Sequence, residues 1–148
     1  MNKIETTIEI NASPEKVWAT FSDFTSYPKW SSFIEKIEGN LEIGMRLEVL
    51  LKPPGKDKGT TFKPKVVKVE SNKEFRWLGK LGGVGFLFVG EHYFVFETAG
   101  NGTRVTHGEK FKGLLVPLMG KVLASTKIGF ENFNKALKSR VESRQNRF

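Results

Sequence analysis

Apolar positions recur at two different periods along this chain, and the changes of period mark out its elements. Alternation from Ile4 to Ile10 predicts a first strand. The following "NASPEKVWATF" has helical spacing, with Ser13 placed as N-cap, Pro14 at N1 and Glu15 in the first turn. Val17 and Phe21 share the apolar face of this helix, with Trp18 beside them. "SDFTSYPKWSSF" is rich in cap and turn residues and contains Pro28, so it holds at most a second short helix. From Phe33 to Phe111 the period of two returns in "FIEKIEGN", "MRLEVLLK", "TTFKPKVVKVE", "EFRWLGKL", "GFLFVGEHYFVFET" and "TRVTHGEKF". The breaks at Gly39-Asn40, Pro53-Pro54-Gly55, Ser71-Asn72, Gly82-Gly83 and Gly100-Asn101-Gly102 predict an antiparallel meander of consecutive hairpins.

After Gly113 the spacing becomes helical again. Leu115, Met119, Val122, Thr126, Phe130, Phe133, Leu137 and Val141 predict one long amphipathic helix. Pro117 is tolerated only near its start, while Gly120 and Gly129 each cost about 1 kcal/mol relative to Ala. Such glycines let a helix bend or let another group approach it. No linker, repeat or low-complexity segment interrupts residues 1–148, so the expectation is a single α+β domain. A twisted antiparallel sheet would wrap the terminal helix and bury one face against it.

The strand "FVGEHYFVFE" concentrates the candidate chemistry. Its even positions place Phe88, His92, Phe94 and Phe96 on one face, with Phe86 upstream in register. A two-residue loop at Asn101-Gly102 would set His92 opposite Phe111, Phe94 opposite Glu109 and Phe96 opposite His107. A loop at Gly100-Asn101 would instead set His92 opposite Glu109 and Phe94 opposite His107. Either loop gathers His92, His107, Glu109 and Phe111 onto the phenylalanine face. Burial there lowers a histidine pKa and raises a glutamate pKa, whereas close pairing opposes both. Mutual hydrogen bonding in a half-buried sheet, ligand anchoring, acid-base chemistry through His92 or Glu109, and a facial metal site are the alternatives for this trio. The loose spacing disfavours the metal site, and neither a metal nor a cofactor is assigned.

Composition narrows the picture further. A chain of 148 residues buries about 70% of its unfolded surface, enough for a core with a cavity inside it. Thirteen Phe against two Tyr supply apolar area with few hydroxyls to satisfy. Without cysteine, disulfides, thiolate metal sites and Cys nucleophiles are excluded. No export signal or membrane-span pattern is legible, and the expected compartment is the cytoplasm. The net charge of +8 is concentrated between Lys52 and Lys68 and from Lys135 onward. These lysines alternate with apolar positions as a solvated face does, so nucleic acid is not an expected partner and membrane-surface contact is a lesser alternative. "GKLGGVG" lacks the Lys-Ser/Thr of a P-loop and the last glycine of G-x-G-x-x-G, and no G-x-S-x-G is present. Trp30 and Trp77, together with Met119 and Leu123 of the terminal helix, suit either core or pocket walls.

Several pieces carry a family resemblance: "TTIEINASPEKVWATFSDFTSYPKWSSF", "FRWLGKL", "GEHYFVFE" followed by "GTRVTHGEKFKGLLVPLMG", and the long terminal helix. The whole chain resembles the START-like (SRPBCC) superfamily, and within it the small bacterial proteins called polyketide cyclase/dehydrase-like. The resemblance implies a helix-grip fold: a seven-stranded curved antiparallel sheet around a long C-terminal helix, with two short helices after the first strand. It also implies a deep apolar cavity between sheet and helix. Trp30, Trp77, Phe86, Phe88, His92, Phe94, Phe96, His107, Glu109, Phe111, Met119 and Leu123 are the candidate ligand-binding residues. The expected partner is a small hydrophobic or aromatic molecule, lipid- or polyketide-like. The alternatives are a cyclase or dehydratase using acid-base residues in that cavity, and a protein- or membrane-interaction domain. Fold alone does not choose among them, and the oligomeric state is not legible.

Overall fold

The computed structural model describes residues 3–80 and 87–145. Strand β1 (Lys3–Ile10) leads into helix α1 (Pro14–Ser22), a 3-10 turn over Phe24–Ser26 and a single helical turn, α2 (Tyr27–Trp30). Strands β2 (Ile34–Glu38), β3 (Glu48–Leu51), β4 (Thr60–Phe62), β5 (Lys65–Glu70), β6 (Glu74–Lys80), β7 (Val89–Ala99) and β8 (Gly102–Lys112) follow. A second 3-10 turn, Val116–Leu118, precedes the terminal helix α3 (Gly120–Gln145). Helix α1 begins as its sequence dictates: the Ser13 hydroxyl accepts from the Lys16 amide, and Pro14 occupies the first turn.

The strands form two antiparallel sheets, ordered β1-β8-β7-β6-β5 and β2-β3-β4. Eight strands therefore stand among the described residues where seven were expected. The extra one arises at Pro64, which has no N–H to give a ladder and splits "TTFKPKVVKVE" into β4 and β5. β4 pairs with β3, and β5 pairs with β6. The sheets are laced where Leu47 donates its amide to the Pro64 carbonyl at 2.9 Å and Val66 donates to Met45 at 2.8 Å. One curved surface results, and α3 packs along β1 and β8.

The β7–β8 register is the second of the two anticipated. Ala99 pairs with Gly102, so Gly100 and Asn101 form the loop, with Gly100 at φ +59°. A positive φ at the first loop residue suits glycine and explains why Gly100-Asn101, rather than Asn101-Gly102, turns the hairpin. Gly102 also lies close to the Ile10 carbonyl, with no room for a Cβ.

Helix α3 begins at Gly120, later than its apolar stripe suggested, because Pro117 confines the preceding residues to the 3-10 turn. The stripe divides into two halves. Phe130, Phe133, Leu137 and Val141 are buried, whereas Val122 is 56% exposed. Gly129 sits against the Phe33 ring, which is what approaches the helix there. Gly82-Gly83 and Phe86 fall outside the described residues.

Candidate functional site

Followed down one face of the sheet, the interior passes from filled to hollow. At the filled end Phe21 of α1 meets Phe94 and Phe96 edge-on at 4.7 and 5.1 Å, and Phe94 stacks on Phe133 at 5.6 Å. Trp18 closes over Phe96. Two residues further along each strand this packing stops. Beyond His92 on β7, His107 on β8, Phe75 on β6 and Phe130 on α3, the same face borders a cavity of about 350 Å³. Its walls are largely aromatic and aliphatic: Trp77, Phe88, Phe111, Phe33, Phe62 and Phe130 with Leu51, Met119, Val122 and Leu123.

The sequence candidates divide accordingly. Trp77, Phe88, His92, Glu109, Phe111, Met119 and Leu123 line the cavity. Phe94 and Phe96 belong to the packed aromatic cluster instead, because α1 and Phe133 occupy the space before them. Trp30 packs on Tyr27 and Phe133 at 4.8 and 5.7 Å, away from the cavity wall. His107 is fully buried behind His92 and stacks on Phe130 at 4.1 Å. Phe86 lies outside the described residues.

Two glycines shape the hollow. Gly79, in phase with Trp77, faces open space. Gly90, in phase with His92, lies directly under the Glu109 carboxyl, and a Cβ there would overlap Oε2. Glycine in phase with wall residues inside a strand is the sequence sign of such a close approach.

One hydrogen-bonded chain runs from the cavity into the core. Glu109 Oε1 lies 3.2 Å from His92 Nδ1, and His92 Nε2 lies 2.7 Å from His107 Nε2. His107 Nδ1 lies 2.9 Å from Asn134 Oδ1, while Asn134 Nδ2 donates to Thr6 Oγ1 at 2.8 Å. Thr6 in turn donates to the His107 carbonyl at 2.8 Å. Asn134 was missed in the sequence. Its signal was a lone amide among Phe130, Phe133, Leu137 and Val141, and a polar group on a buried stripe requires a partner.

Burial sets the protonation of these groups. His92 is 4% exposed and Glu109 18%. Loss of water pulls the His92 imidazole down to about 3 and pushes the Glu109 carboxyl up to about 7. His107 is lowered as well, by burial first and then by repulsion from a charged His92, while Asn134 and the Phe130 carbonyl favour its charged form. The site is thus a hollow apolar chamber with one carboxyl at its inner wall, which burial leaves about half protonated at pH 7. The ring nitrogens of His92 and His107 are committed to each other and to their neighbours. Among the described residues no three His, Asp or Glu side chains are arranged to hold a metal ion.

The chain can now be set beside known proteins. It aligns in fold with protein MLL2253 from Mesorhizobium loti at TM-score 0.74 and 19% identity, covering 96% of this chain and 97% of that one. TTHA0849 from Thermus thermophilus gives TM-score 0.73 and 20% identity over 95% and 97%. DynU16, from the dynemicin biosynthetic locus, gives 0.71 and 15% identity over 96% of this chain and 48% of that one. At these identities the likeness is one of fold. No curated protein matches the chain in sequence. Among the described residues no helix is long and apolar enough to cross a membrane. A family model described as polyketide cyclase/dehydrase and lipid transport matches residues 1–142, and the chain belongs to that family.

Proposed function

We propose that the protein binds a small, largely apolar molecule, aromatic or lipid-like, in the cavity between the sheet and the first half of α3. The observation that carries this reading is the hollow itself. Protein interiors pack densely, and an apolar hollow of about 350 Å³, partly open to solvent beside a tightly packed aromatic cluster, leaves apolar wall surface that a ligand would cover. Its size falls in the range of small-molecule sites, and apolar walls with one convergent polar group are their usual chemistry. The family's description, which joins cyclases, dehydrases and lipid transport, supports a ligand in this position. Native mass spectrometry of the protein purified from the cells that make it, followed by denaturing extraction, tests the proposal. A retained apolar molecule is the expected result. Bare protein that also gives no ligand-observed NMR signal with flavonoids, bicyclic aromatics and fatty acids overturns it.

A catalytic version of the same site is favoured by one feature, the contact of Glu109 with His92. In its ionised form Glu109, with Oε1 3.2 Å from His92 Nδ1, would take a proton onto Oε2 from a substrate carbon beside a carbonyl, leaving a neutral carboxyl and the substrate as its enolate. In D2O the wild type would then accelerate exchange of the α-protons of an aryl 1,3-diketone, and Glu109→Leu would not. Equal exchange rates in the two proteins remove this reading.

A further inference from the structure

Hydrogen-bond chemistry fixes where the protons sit along the buried chain. The His107 carbonyl can only accept, so Thr6 spends its one proton there and its oxygen accepts from the Asn134 amide nitrogen. Asn134 therefore turns Oδ1 towards His107, and His107 carries its proton on Nδ1. In the neutral ring, His107 Nε2 is then a lone pair. His92 must donate to it from Nε2, which leaves His92 Nδ1 as a lone pair facing Glu109. Glu109 completes the chain by carrying a proton on Oε1 and donating it to His92. The other satisfied arrangements place an imidazolium on His92 or His107, and burial opposes both.

Glu109 thus shows the cavity its other oxygen, Oε2, which in this state is an acceptor without a proton. Among the described residues Oε2 has no hydrogen-bond partner, and it lies over Gly90 on the cavity wall. Ring nitrogens aside, the other polar side chains on the walls are Thr60, Thr126 and Lys80, and the two threonine hydroxyl oxygens can also accept, so the Glu109→Leu variant below is what assigns the role to Oε2. Thr126 donates its hydroxyl to the Val122 carbonyl at 2.8 Å, and Lys80 is an exposed cation that can only donate.

We infer that the cavity selects apolar ligands that carry a hydrogen-bond donor, a phenol or alcohol hydroxyl, placed to donate to Glu109 Oε2. This rests on the ligand-binding reading above and narrows it to a substrate class. A ligand offering only acceptors, such as an ether, a ketone or a carboxylate, would require the carboxyl to turn its proton outward, leaving the buried His92 Nδ1 unpaired. Such a loss at a buried group costs enough to discriminate.

Isothermal titration with 2-naphthol, 2-methoxynaphthalene and naphthalene-2-carboxylate tests this. The three share one bicyclic body and differ in the polar end. Naphthol is expected to bind about 10-fold more tightly than the methyl ether, the worth of one net hydrogen bond, with the carboxylate weaker than naphthol. The preference should survive Glu109→Gln, whose amide N–H can donate to His92 while its carbonyl faces the cavity, and should vanish in Glu109→Leu. Equal binding of naphthol and its ether overturns the inference while leaving the cavity reading intact, as does a preference that persists in Glu109→Leu or is lost in Glu109→Gln. Tightest binding by the carboxylate also overturns it, making Lys80 the polar anchor instead. Failure of all three to bind overturns the inference, and the broader panel above then decides the cavity reading.

Discussion

Replacing Glu109 by glutamine makes the protonation of the site measurable as stability. Burial raises this carboxyl from 4.5 to about 7 in the folded chain. Between those two values the unfolded chain has released the proton while the folded chain keeps it, so the folded state binds more protons. Stability therefore falls as pH rises through that window and levels off above it. A shift of roughly two and a half units at 1.36 kcal/mol each gives a loss on the order of 3 kcal/mol. His92 and His107 act in the opposite sense. Their lowered values make stability rise with pH up to about 6.5, the ordinary histidine value. They titrate in both proteins and largely cancel in the difference. The amide of Glu109→Gln cannot ionise, and it preserves the hydrogen bond to His92. Urea unfolding followed by tryptophan fluorescence at intervals from pH 4.5 to 8 reads the difference, since Trp18 and Trp77 are buried. The stability of Glu109→Gln relative to wild type should increase across that range by about the same 3 kcal/mol. A difference that stays level, or that shrinks as pH rises, would refute a proton held on Glu109.

Gly90→Ala should change stability little, because the group it displaces is the far end of the flexible Glu109 side chain. The displaced carboxyl should weaken 2-naphthol binding about 10-fold in titration calorimetry, the worth of one hydrogen bond, and unchanged affinity would place the ligand elsewhere. Gly129→Ala drives a methyl into the Phe33 ring. Overpacking costs about 1–3 kcal/mol and should outweigh the gain in helix propensity of about 1 kcal/mol, lowering the urea midpoint. Asn134→Leu removes the acceptor at His107 Nδ1 and the donor to Thr6, and should cost about 1–3 kcal/mol in the same assay.

What was legible in the sequence was whatever periodicity encodes. Alternation along Phe88–Phe96 and Thr103–Phe111 put His92, His107 and Glu109 on one face in either register, and Ser13-Pro14 announced α1. Periodicity could not say where along that face the filling stops. Phe94 and Phe88 share a phase, yet one meets Phe21 and Phe133 while the other borders a void. That difference depends on how far α1 reaches across the sheet, which is a matter of tertiary packing. Trp30 was ambiguous for the same reason. Pro64 carried the signal for the extra strand, and Asn134 and Gly90 broke the apolar pattern at the two positions where the polar chain needs a partner and room.

The central claim is that the cavity is a working ligand site, and Gly79 offers the most direct test of it. This residue lines the hollow, and nothing lies within 4 Å of where its Cβ would stand, so Gly79→Trp should project an indole into the space without moving the backbone. Saturation-transfer NMR with a panel of bicyclic aromatics and medium-chain lipids would be run on both proteins, with the amide spectrum confirming that the variant is folded. Transfer in the wild type that disappears in Gly79→Trp is the predicted result. Transfer of equal strength in the filled variant, or none in the wild type, would contradict the account.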